Sequence, residues 1–175
     1  MTPIWQHKSV DIVEATARDA SFVTYNMRAD DWAEVSCQLM EGVGKADVGL
    51  AVLDAEFAFV ARLAGTPAFL FGFSPYMPVG LSVFGFGTKL AQRTIPAVTR
   101  FMREVQGPAL AALGYRHIEA RSLASHHDAH RWMEGGGAVK VAELPNYGKD
   151  GEDFFLFRWT EEVYKHPITS QQETS

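Results

Sequence analysis

Three apolar runs dominate the first half of the chain: FAFVARL at 57–63, AFLFGF at 68–73 and LSVFGFG at 81–87. Only Ala64-Gly65-Thr66-Pro67 joins the first two, and a short glycine-containing link between runs rich in aromatic and β-branched residues makes a hairpin. The third run adds the next antiparallel strand. The stretch from Gly49 to Gly87 is strongly apolar, yet Asp54, Glu56, Arg62, Pro67 and Pro75 interrupt it well short of the roughly 20 residues a membrane helix needs.

From Thr94 the period changes. Ile95, Val98, Phe101, Met102 and Val105 recur at helical spacing, with Pro96 in the first turn, where a helix tolerates it. Gly107-Pro108 should kink or end this helix, with Ala109 to Leu113 continuing it for a turn before Gly114. Upstream, 10–16 reads as a strand, and 22–28 (FVTYNMR) as a better one on its aromatic and β-branched content. Asp30 or Asp31 then caps a helix carrying Trp32, Val35, Leu39 and Met40 that ends near Gly42 and Gly44, and a short helix follows at 46–55. Downstream come a strand at 116–123, a helix capped by Ser125 with Ala129, Trp132 and Met133 inward, and a final hairpin of 138–144 and 153–159. Pro145, Asn146, Gly148, Asp150 and Gly151 build its turn. The expected fold class is one α+β domain over residues 1–165, with a mixed, mostly antiparallel sheet of roughly six or seven strands and about four helices. A polar tail occupies 166–175.

With 175 residues, 47% of them apolar and 21% charged, the chain is long and apolar enough for one sizeable core. Its formal charge of -5 argues against binding nucleic acid in bulk, which relies on clustered Lys and Arg. The single Cys37 excludes an intrachain disulfide framework and suits a reducing compartment. The opening MTPIWQHKSVDIVEA lacks the apolar core of a secretory signal, so a soluble protein made inside the cell is expected.

The segment SHHDAHRWMEGGG at 125–137 concentrates histidine. His126 and His130 have the spacing by which two imidazoles on one helix face bind zinc, but His127 stands where the glutamate base of that motif belongs, and no third ligand can be assigned. The expectation is no metal, with the histidines and Asp128 solvated in a helix's first turn. Gly80 and Gly85 have the glycine spacing of a phosphate loop without its lysine, and Gly85-Phe86-Gly87 lacks the third glycine of a dinucleotide fingerprint. There is no Gly-x-Ser-x-Gly elbow, and Cys37 falls within an amphipathic helix. Trp5, Trp32, Trp132 and Trp159 read as core or interface aromatics.

The order of elements resembles the GNAT acyltransferase fold, and three stretches carry the likeness over about 22–160. MRADDWAEV at 27–35 is similar to that family's first junction into a helix, TPAFLFGF at 66–73 to its central strand, and YRHIEARSLASHHDAHRWMEGGGA at 115–138 to the strand, helix and loop beside the acyl carrier. Within the superfamily the chain resembles most the GNAT-like proteins of short-tailed bacteriophages, the internal virion protein A type. The resemblance implies that Trp132 stands near where the family has a tyrosine acid, and an indole cannot protonate a thiolate as a phenol does. It also implies that the loop Gly87 to Pro96 should grip a pyrophosphate through bare backbone amides, although it lacks the family's glycines. Losing two such charge-assisted bonds would weaken binding by about 10²–10⁴, part of which Lys89 and Arg93 would recover.

On these departures the expected function is a GNAT fold used without catalysis and without a cofactor, as a structural or assembly component of the virion. It would be made in the host cytoplasm, with other phage proteins as partners. The alternative is an acetyl-CoA-dependent N-acyltransferase with a remodelled loop, acting on a host amine. Phe84, Gly85, Lys89, Arg93 and Thr94 would then contact the cofactor, and Glu119 or His117 would be the base.

Overall fold

The computed structural model describes residues 2–160 and Glu162. The tail expected at 166–175 lies outside the described residues. One sheet organises the chain, built from β1 (Trp5–His7), β2 (Val10–Glu14), β3 (Phe57–Leu63), β4 (Thr66–Met77), β5 (Gly80–Gly87), β6 (His117–Leu123), β7 (Val139–Leu144) and β8 (Phe154–Thr160). The spatial order is β1-β2-β3-β4-β5-β6-β8-β7. Every neighbouring pair is antiparallel except β5 and β6, which run parallel. The sheet is thus one strand larger than the sequence suggests, because the short β1 escapes a pattern reading.

Helices cover both faces. On one, α1 (Ala17–Tyr25), α2 (Ala29–Ser36) and α3 (Lys45–Leu53) pack Val23, Val48 and Val52 on Val60, Leu70 and Phe86. On the other, α4 (Ile95–Phe101) and α5 (Gly107–Ala112) bring Val98, Phe101 and Leu110 onto Phe59, Phe71 and Leu81. Beside them α6 (His127–Gly135) seats Met133 against Ala120 and Phe157. Among the described residues no helix is long and apolar enough to cross a membrane.

Three expectations need correction. Residues 22–28 are not a strand. Thr16 and Asp19 form a capping box, with the Asp19 amide donating to Thr16 Oγ1 at 3.2 Å and the Thr16 amide to Asp19 Oδ2 at 3.2 Å, and this starts α1 ahead of the β-prone residues. The Arg62 guanidinium on β3 then clamps Asp19 at 2.8 Å. Neither Asp30 nor Asp31 caps α2. Arg28 stands at the cap, and α2 ends at Ser36, earlier than Gly42. Finally, Gly107-Pro108 does not end the long helix. A π-helical segment, Met102–Gln106, joins α4 to α5, with the Gly107 amide reaching back five residues to the Met102 carbonyl. The wider turn relieves the clash a proline ring makes with the preceding turn, so the rod continues.

Candidate active site

β5 and β6 stay paired for only three residues, Gly80 with His117, Leu81 with Ile118 and Ser82 with Glu119. Beyond Ser82 and Glu119 no pairing between them continues, while β5 remains bonded to β4 as far as Gly87 and β6 to β8 as far as Leu123. The sheet therefore opens in a V whose apex is the Ser82–Glu119 pair. Backbone groups of β5 that point away from β4 past that apex face the gap without a strand partner.

A cavity of 590 Å³ fills the gap and extends to both faces. On one side Thr99, Met102, Arg103, Trp132 and Trp159 line it, and on the other Val35, Leu39, Val48, Val52 and Phe84. Gly72 gives the Phe84 ring its place, since a Cβ there would sit 2.5 Å from that ring. The π segment supplies Met102 and Arg103, and the Arg103 guanidinium donates to the Gly135 carbonyl at 2.8 Å, tying the long rod to α6.

At the open end, α2 spans the V. The Gly87 amide, at the tip of β5, donates to Asp31 Oδ2 at 2.7 Å, and its carbonyl accepts from the Arg28 amide at 2.9 Å. One helical turn on, Glu34 Oε2 accepts from Ser122 Oγ at 2.6 Å and from the Leu123 amide at 2.9 Å, both on β6. His126 lies between the two carboxylates, with Nδ1 2.9 Å from Glu34 and Nε2 3.5 Å from Asp31. The hydrogen bond to Glu34 holds the imidazole above its ordinary value despite burial, which works against it, and both carboxylates add to the effect.

The histidine helix thus differs from the exposed turn expected of it. Its cap is His126 rather than Ser125, and no side chain makes a capping bond there. His126 and His130 are buried, and only His127 and Asp128 of that group are exposed. His130 Nε2 donates to the Leu123 carbonyl at 3.0 Å, and burial lowers its pKa. The two rings are committed to different partners, and the described residues hold no group of three or more His, Cys, Asp or Glu placed to bind a metal. Elemental analysis of untagged protein is accordingly expected to find substoichiometric zinc. One equivalent that disappears on replacing His126 and His130 would contradict this.

Glu119 and His117 are brought together at the apex. Glu119 is 5% exposed and bonds Arg158, whose Nε lies 2.9 Å from Oε1. Burial works to raise its carboxyl, but the bonds from Arg158 and Tyr76 prevail and hold it below the usual range. Tyr76 Oη and His117 Nε2 share a hydrogen bond of 3.0 Å. Burial and Glu119 both push the Tyr76 hydroxyl up. Sequence reasoning missed Tyr76 and Arg158, which lie far from the apex in the chain and carry no motif, and it read Asp31 only as a helix cap and gave Glu34 no role.

The residues considered for cofactor contact fall into two groups. Phe84 and Gly85 line the cavity. Lys89 and Arg93 are exposed on the following segment, and Thr94 is fully buried, its hydroxyl donating to the Ala91 carbonyl at 2.7 Å. That segment closes on itself in a 3-10 turn, Ala91–Arg93. The Ala91 amide bonds Thr88, Arg93 bonds Leu90, Thr94 bonds Ala91, and Leu90 bonds the Thr88 hydroxyl. Trp132 Nε1 donates to Thr99 Oγ1 at 2.8 Å, and its ring meets Phe69 edge-on at 5.4 Å. Burial first, then Glu152, pushes the Cys37 thiol up to about 11, which disfavours the thiolate a nucleophile needs.

No family model matches the chain, and no curated protein matches it. Solved structures do. An acetyltransferase from Salmonella typhimurium, solved with acetyl-CoA, is 13% identical with a TM-score of 0.68, over 91% of this chain and 98% of its own. A GNAT-family acetyltransferase from Bacillus anthracis is 13% identical with a TM-score of 0.67, over 90% and 98%. An N-acetyltransferase from Staphylococcus aureus is 14% identical with a TM-score of 0.65, over 88% and 99%. The chain has a GNAT-like α+β fold, with the sheet and helices in the arrangement those structures share.

Proposed function

We propose that this protein transfers an acyl group from a coenzyme A thioester to an amine. The observation that carries this reading is the cavity through the sheet at the point where β5 and β6 part. It lets two reactants approach from opposite faces and meet in the gap. A fold serving only as a scaffold gains nothing from such an opening, because interiors are most stable when close-packed. The solved neighbours, one of them holding acetyl-CoA, support the same reading.

The acyl-bearing end of the donor fits this chain better than its phosphates do. Unpartnered backbone groups of β5 beyond Ser82 can bond the thioester carbonyl and its arm, polarising the carbonyl for attack. The amides of Leu90, Ala91, Arg93 and Thr94 are already bonded within their turn, which leaves Lys89 and Arg93 as the charges for the pyrophosphate. Glu119, ionised at the apex, takes the proton the amine loses as its nitrogen bonds the carbonyl carbon, with His117 and Tyr76 beside it as a relay. Trp132 offers no acidic proton, so the thiolate departs without a general acid, a loss worth about 10²–10⁴ in rate.

Incubation with labelled acyl-CoA and a panel of primary amines tests this. Transfer is expected to be slow, and Glu119→Gln is expected to reduce kcat/KM by about 10²-fold or more, with a melting curve as the folding check. A second reading is a virion or assembly component that binds other proteins and needs no cofactor. The self-closed loop after β5 favours it, and otherwise it rests on the sequence resemblance. Absence of both thioester binding and transfer would favour that reading over catalysis.

A further inference from the structure

The cavity is not uniform on the face that carries α2 and α3. Near the apex its wall is polar, with Ser74, Ser82 and Arg121, next to the Glu119, Tyr76 and His117 cluster. Away from the apex it runs between α2 and α3 over Val35, Leu39, Val43, Val48 and Val52, with the exposed Gln38 and Asp47 at the rim. The amine, uncharged when its nitrogen attacks, belongs at the polar end, beside the Glu119 cluster. The apolar branch suits an uncharged chain. An acetyl group, with one methyl beyond its carbonyl, reaches little of the apolar wall between α2 and α3, whereas ligand pockets are lined mainly by apolar groups that their ligand covers.

Resting on the acyltransferase reading, we infer that the transferred group is a medium-length or longer fatty acyl chain, seated in the branch between α2 and α3. The chain enters through the V from the α4 and α6 face and lies along Phe84, Leu39 and Val48. The chemistry balances as for any acyl transfer: the amine nitrogen forms the bond to the carbonyl carbon, the carbon–sulfur bond breaks, and the amine's proton passes to Glu119. Burial of the chain also offsets the weak grip on the phosphates, since each buried methylene strengthens binding about fourfold.

Calorimetry on the full chain with acetyl-, butyryl- and octanoyl-CoA reads this directly. Affinity is expected to rise with chain length, octanoyl-CoA binding at least about a hundredfold tighter than acetyl-CoA. Ala51→Trp, on the exposed side of α3 where Ala51 lines the branch, is expected to remove most of that gain. A melting temperature close to that of the parent protein shows that the variant folds. Equal affinity for acetyl- and octanoyl-CoA, or an unchanged gain in the Ala51→Trp protein, overturns the acyl-chain inference and leaves the acyltransferase reading standing. Failure of all three thioesters to bind overturns both.

Discussion

Replacing Glu34 with alanine is expected to destabilise the protein by about 3 kcal/mol, the lower end of the range for removing one partner of a buried ion pair, because the Glu34 side chain stays 16% exposed. Three donors lose their acceptor together: Ser122 Oγ, the Leu123 amide and His126 Nδ1. Two of these hold the free end of β6, so the V should loosen as well as the fold. The pH dependence follows from His126. Its folded pKa is raised above 6.5, mainly by the bond to Glu34, so its contribution is complete below 6.5 and fades as pH climbs through the raised value. The wild-type melting temperature should therefore fall on the alkaline side of 6.5 in a way the Glu34→Ala protein does not match, since only Asp31 then remains as a carboxylate partner. Arg28, Asp30, His127, His130 and Asp128 are the other charged or titratable groups near the ring, and their presence in both proteins cancels in the comparison. Calorimetric scans between pH 6 and 9 measure both effects, and parallel curves for the two proteins would show that His126 titrates independently of Glu34.

Phe101→Ala should cost about 3–5 kcal/mol, the range for a buried phenylalanine whose site cannot collapse. Phe101 is fully buried, with its ring centroid 5.4 Å from Phe59, 6.0 Å from Trp5 and 6.2 Å from Phe71. These partners come from β1, β3 and β4, so the cavity left behind is bounded by paired strands, β3 and β4 being held in register on both sides. For a chain of this size the loss corresponds to a melting temperature lower by about 6–20 °C. A change under about 1 kcal/mol would mean that the neighbouring aromatics repack into the space, which the edge-on contacts with Phe59 and Phe71 disfavour.

The elements read most readily from sequence are those whose pattern and packing agree. The β3–β4–β5 meander reads as short apolar runs in a sheet covered on both faces, and the helix of Val98 and Phe101 as an apolar face at helical period, so local pattern and tertiary burial select the same conformation. Residues 22–28 show the opposite. Phe22, Val23, Thr24 and Tyr25 favour a strand, yet the capping box at Thr16 and the packing of Val23 between α3 and the sheet make them helical. The Thr16–Asp19 spacing was the available signal.

The apex residues Glu119 and His117 could be named as candidates from sequence because they sit on a strand beside the histidine helix, in a context the GNAT resemblance supplied. Their partners could not. Tyr76 reaches His117 across 41 residues, Arg158 reaches Glu119 across 39, and Glu34 reaches His126 across 92. The sequence by itself determined the β3–β4–β5 run, the long helix that follows it and the absence of glycine from residues 88–96, because these are properties of neighbouring residues. Only the tertiary structure decided that β5 and β6 separate after three pairs, that α2 carries the carboxylates spanning their ends, and that His126 and His130 are buried. Each of these depends on groups distant in the chain meeting where water is excluded, and there a charge or an unpaired amide is costly enough to select its partner.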